Sequence, residues 1–104
     1  MRARDIVRYA RKNKLIIDQD GDNRSTHCAA SVVAHMVLGP KTAINRWTLI
    51  EVRCACYNKE LAKYKMTPKR LLALEAGFEG WSRSNDEPKR YYDMGVRVRE
   101  LAKV

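Results

Sequence analysis

Apolar residues recur along this 104-residue chain at the three- and four-residue spacings of helices rather than at the alternating spacing of strands. Ile6, Val7 and Ala10 mark one face of a first helix expected from Ala3 to Asn13, and Arg4, Arg8, Arg11 and Lys12 project from the rest of it. The following "KLII" is a short strand or a helix end. Ser25 is the expected N-cap of "THCAASVVAHMVL", which is apolar on nearly every face and so reads as a buried central helix stopped by Gly39 and Pro40.

The longest pattern follows. Ala43, Trp47, Ile50, Cys54, Tyr57, Leu61 and Tyr64 alternate spacings of four and three, which predicts a long central helix over about 41–65, roughly 37 Å at ~1.5 Å per residue. Leu49, Val52 and Cys56 add a second strip, so this helix packs on two sides or pairs with a partner. Thr67 then caps a short helix with Pro68 at its first position, "KRLLALEA" continues it, and Gly77 is the expected stop. After the turn-rich "EGWSRSNDEP", a last helix carries Tyr91, Met94, Val98 and Leu101 inward, weakened by Gly95. The fold class that results is all-α: about five helices in a single compact domain spanning residues 1–104.

Charge changes this picture most. Lys and Arg number 21 against 12 Asp and Glu, a net charge of +9 and a pI near 9.8. The basic residues concentrate in the first helix, the long middle helix and the C-terminal helix, separated by two acidic joints. Such a balance favours nucleic acid, an anionic membrane or an acidic protein surface as partner, and Ile6, Val7 and Ala10 offer too little apolar area for the membrane. Arg4, Arg8, Arg11, Lys12, Lys89, Arg90, Arg97 and Arg99 are the expected phosphate contacts, positioning contacts with little sequence readout. The groups Arg46–Trp47, Trp81-Ser-Arg83 and Lys89-Arg90-Tyr91-Tyr92 add aromatic rings beside cations, although Trp47 and Tyr91 also sit on apolar seams.

Other constellations are weaker. Asp18, Asp20 and Asp22 fall at the first, third and fifth positions of a calcium loop, but Asn23 stands where glycine is needed and Ala29 where the closing Glu belongs. A polar turn explains them, leaving at most weak cation binding. Cys28, His35, Cys54 and Cys56, with His27 in reserve, have the chemistry of a transition-metal site, yet a helical CxC points its thiols about 200° apart. Buried small hydrophobes explain the three cysteines better, and no metal or cofactor is expected. No nucleophile elbow, phosphate loop or paired-carboxylate signature points to an enzyme. Leu72, Ala73, Ala76, Gly77 and Phe78 reproduce half of a helix-turn-helix.

Three cysteines and no apolar leader fit a reducing cytoplasm, and no apolar run approaches the ~18 residues of a membrane span. The expectation is therefore a small basic helical protein that binds nucleic acid, DNA first, in an accessory or regulatory capacity without catalysis. The competing expectation is an adaptor or inhibitor of viral or mobile-element type. It would use Trp47, Ile50, Tyr57, Leu61 and Tyr64 to dimerise or to dock on an acidic protein partner.

Overall fold

The computed structural model describes residues 1–19, 26–39 and 63–104. Their elements, in chain order, are α1 (Ala3–Lys12), β1 (Ile16–Ile17), β2 (Thr26–His27), α2 (Ala29–Leu38), α3 (Pro68–Glu79) and α4 (Lys89–Ala102). The architecture is mostly helical, as the periodicity predicts, with four helices among the described residues. The expected central helix, Ala43 to Leu61 included, lies outside them; Lys63 is helical and Lys65 turns into the left-handed region at φ 58°.

The first helix begins where expected. Asp5 in its first turn accepts the Arg2 backbone N–H at 2.8 Å, a carboxylate placed at the positive end of the helix dipole. Lys14 at φ 57° ends it, and Leu15 N–H returns to Ala10 C=O at 2.8 Å. That turn delivers "KLII" into β1, so the strand alternative is the one adopted. β1 pairs in parallel with β2, Ile16 opposite Thr26 and Ile17 opposite His27.

Two boundaries differ from expectation for local reasons. α2 starts at Ala29 with Cys28 as N-cap, because Thr26 and His27 are drawn into the sheet. Ser25 lies outside the described residues. The second difference is at Gly77, which does not stop α3. The helix runs on to Glu79, and Gly80, left-handed at φ 79°, caps it while Trp81 N–H bonds Ala76 C=O at 2.9 Å. A Cβ at Gly77 would collide with the Tyr92 carbonyl, and one at Gly95 with the Leu74 carbonyl. Both glycines are therefore crossing points of α3 and α4, the most extensive described helix pair. The half helix-turn-helix dissolves with this, since its turn glycine lies inside a helix.

The core gathers Ile6, Val7 and Ala10 of α1, Val32 and Val33 of α2, Leu71, Leu74 and Phe78 of α3, and Val98 of α4. Every residue of α2 from Ala29 to His35 is buried, as its apolar sequence requires. Tyr91, Met94 and Leu101 pack against this core half-buried. Tyr9 O–H donates to His35 C=O at 2.9 Å, tying α1 to α2, and Gln19 Nε2 donates to Phe78 C=O at 2.9 Å, tying the segment after β1 to the end of α3. Among the described residues no helix is long and apolar enough to cross a membrane.

Candidate functional site

The apolar stripe of α1 is spent on the core, so its arginines must turn outward. Arg4, Arg8 and Arg11 follow one another at four and three residues, which stacks them on one side of the helix over roughly 10 Å. Together with Val7 and with Leu101 of α4 they line a single cavity of about 240 Å³. Arg4, Arg8, Arg11 and Lys12 are all exposed, and none has an acidic partner among the described residues. The three arginines thus share one concavity with Val7 and Leu101. Like charges held together attract a polyanion more strongly than the same charges spread out.

The basic residues of α4 are placed differently. Lys89 Nζ bonds Asp93 Oδ2 at 2.6 Å, and Arg97 Nη1 bonds Glu100 Oε2 at 3.1 Å. Arg99 lies half-buried with its guanidinium over Gly80, where it meets the carbonyl-rich end of α3. Arg90 is exposed. Arg90, Met94, Arg97 and Leu101 follow at helical spacing, so Arg97 sits one turn before Leu101 on the stripe that reaches the α1 cavity. Of the eight expected phosphate contacts, three are brought together in one cavity and the others are not.

A second cavity, about 170 Å³, adjoins the first and shares Val7 and Arg11 with it. Ala10, Leu15, Ile16, Ile17 and Ala102 complete its wall. Sequence reasoning missed this space: the signal was the "KLII" strand following a basic helix, and its neighbour from the C-terminal helix is a tertiary fact.

A different polar group lies in the interior. Glu75, fully buried on α3, accepts the Ala30 N–H of α2 on Oε2 at 3.0 Å, so it caps the start of α2 from another helix. Burial, with Glu79 beside it, pushes the Glu75 carboxyl up to about 7. Cys28 Sγ lies 3.1 Å from Ser31 Oγ. Burial and the neighbouring Glu75 push that thiol up to about 12, which keeps it protonated and a poor nucleophile at neutral pH. The rings of His27 and His35 meet edge to face, centroids 5.2 Å apart, and burial lowers the His35 pKa. Cys28 is the N-cap of α2 and His35 lies within that helix. Among the described residues no group of three or more His, Cys, Asp or Glu could hold a metal ion.

The remaining expected residues divide between the two parts of the chain. Cys54, Cys56, Trp47, Ile50, Tyr57, Leu61, Asp20 and Asp22 lie outside the described residues. Asp18 follows β1, exposed, with its N–H bonded to His27 C=O at 3.0 Å. Tyr64 is half-buried, with Lys63 Nζ 5.8 Å from its ring centre. Trp81 is 45 % exposed in the loop after α3, where its carbonyl accepts the Tyr92 hydroxyl.

No family model matches this chain, and neither the curated proteins nor the solved structures contain a match to it.

Proposed function

We propose that the chain binds nucleic acid through the arginine face of α1, as an accessory or regulatory protein without chemistry of its own. The observation that carries this reading is the convergence of Arg4, Arg8 and Arg11 on one cavity without a described acidic partner. Guanidinium forks suit phosphate oxygens, and a shared concavity raises the local potential beyond that of a scattered charged surface. The net charge of +9 brings polyanions to the molecule in general, and the α1 face is where a phosphate chain would find donors without a described acidic partner. The non-catalytic part of the reading draws on Cys28, whose thiol is buried and held protonated.

The test is fluorescence anisotropy with labelled oligonucleotides at about 50 and 200 mM salt. Three neutralised phosphates correspond to roughly a 20- to 40-fold loss of affinity across that interval. The double variant Arg8→Glu/Arg11→Glu should bind about 10- to 100-fold more weakly at the lower salt and show a shallower salt dependence, with unchanged helical circular dichroism. Equal binding by the double variant and the native protein would remove α1 from the interface.

A further inference from the structure

The two cavities beside α1 differ in lining, and their junction narrows the class of nucleic acid. The first presents three arginines. The second is walled by the small or apolar side chains Val7, Ala10, Leu15, Ile16, Ile17 and Ala102, with Arg11 at the rim it shares with the first. Its size, about 170 Å³, is enough for one nucleobase.

Beside this cavity, one edge of β1 carries backbone groups that the sheet does not use. In the parallel register, with Asp18 N–H bonded to His27 C=O, the amides of Ile16 and Asp18 face β2. The N–H and C=O of Ile17 therefore face the other way, along the edge of the strand turned from β2, and neither bonds a described residue. Ile17 lines the cavity. One donor and one acceptor side by side match the hydrogen-bonding edge of a base, which carries the same pair of functions. Ile16, 62 % exposed at the mouth, offers apolar surface for a ring face.

From this junction we infer that the site takes single-stranded nucleic acid, with consecutive phosphates on Arg4, Arg8 and Arg11 and one unstacked base in the cavity between β1 and the end of α4. The inference rests on the proposed function and deepens it. A duplex satisfies the arginines but keeps its bases stacked and paired, so it leaves the second cavity unfilled. A single strand presents a free base at little cost and gains from both cavities.

The experiment measures anisotropy of the full chain with three labelled DNA probes of equal length at about 50 mM salt: a mixed-sequence single strand, its duplex, and a single strand in which the bases are replaced by abasic residues. The single strand should bind about tenfold more tightly than either of the other two. In Ala102→Leu, which fills the cavity from the last turn of α4, the intact and abasic strands should bind within about threefold of each other. Equal binding of the intact and abasic strands to the native protein, or a preference for duplex, overturns the base site while leaving the α1 phosphate face standing. Failure of all three probes to bind overturns the nucleic-acid reading itself. The abasic comparison uses only native protein, so it decides the matter even if Ala102→Leu does not fold.

Discussion

Helices α1 and α4 look alike in sequence and are employed differently. Each mixes an apolar stripe with several arginines or lysines, and each was an equal candidate for contacting phosphates. In α4 the stripe meets α3 across Gly95, Lys89 and Arg97 pair with acids on their own helix, and Arg99 covers the end of α3. In α1 the stripe meets the core, and the outward arginines meet no described acid. What separates them is the placement of acids. Asp93 and Glu100 fall four and three residues from a cation in α4, the spacing at which side chains meet. The single acid of α1, Asp5, is turned to the backbone at the helix start. Among the described residues, the two helices thus differ in how their cations are paired rather than in how many they carry.

The largest test of this contrast concerns stability. α4 is held so closely to α3 that Gly95→Ala places a methyl group against the Leu74 carbonyl and the Phe78 amide, both backbone atoms that cannot step aside. A cost of about 3 kcal/mol or more is expected, at the upper end of overpacking effects. By contrast Arg4→Ala removes an exposed side chain with no described ion pair and should stay within about 0.5 kcal/mol of the native protein. Urea unfolding followed by circular dichroism compares the two. A Gly95→Ala protein as stable as the native one would mean that the helices do not cross at this point.

The same glycines mark where the sequence was and was not legible. Periodicity placed α1, α3 and α4 to within a few residues, since each turns an apolar stripe to a core and begins or ends on residues with clear backbone reasons, such as Thr67 with Pro68. Thr67 Oγ1 accepts Arg70 N–H at 3.2 Å, as an N-cap should. Gly77 misled because a glycine is equally suited to ending a helix and to letting another helix approach it. Which role it plays depends on Tyr92, fifteen positions away, and no local pattern carries that information. The site shows the same division. The stacking of Arg4, Arg8 and Arg11 was written in their spacing, whereas Leu101 and Ala102 join them only through the packing of α4 on α1. Glu75 was invisible for a similar reason: its partner, the Ala30 amide, lies on another helix.

Glu75 gives the comparison a pH signature. Its carboxyl, raised from 4.5 to about 7 in the folded protein, keeps a proton that the unfolded chain has already released. The folded state therefore binds more protons in that interval, and stability falls as pH rises through it, by up to roughly 3 kcal/mol in all. His35 works in the opposite sense: its folded pKa lies below 6.5, so the unfolded chain binds more protons and stability rises as pH climbs toward that value. Glu75→Gln keeps an acceptor for the Ala30 amide and removes the titration. Its stability should no longer fall between about pH 5 and 7, leaving the rise from His35 exposed. Urea midpoints at three pH values decide it, and a variant that still follows the native profile would place the pH dependence elsewhere. Guanidinium groups do not titrate in this range, so oligonucleotide affinity of the folded protein should stay flat while its stability moves.

The finest contrast is between single cations of the two helices, matched as neutralisations. Arg8 lines the α1 cavity and has no described acidic partner, so Arg8→Ala removes a donor that is free to meet a phosphate. A loss of about five- to tenfold in oligonucleotide affinity is expected, close to 1 kcal/mol for one exposed phosphate contact. Lys89 is already bonded to Asp93 at 2.6 Å. To reach a phosphate it must leave that carboxylate, and the carboxylate then faces the incoming anion uncompensated. Lys89→Ala should therefore change affinity by less than about twofold, although it removes the same unit of charge. Equal losses in the two variants would mean that net charge, rather than the arginine face of α1, governs binding. An Asp93→Ala variant then distinguishes the remaining case: if it raises affinity, and Lys89→Ala in that background lowers it again, the ion pair is what withholds Lys89 from the polyanion.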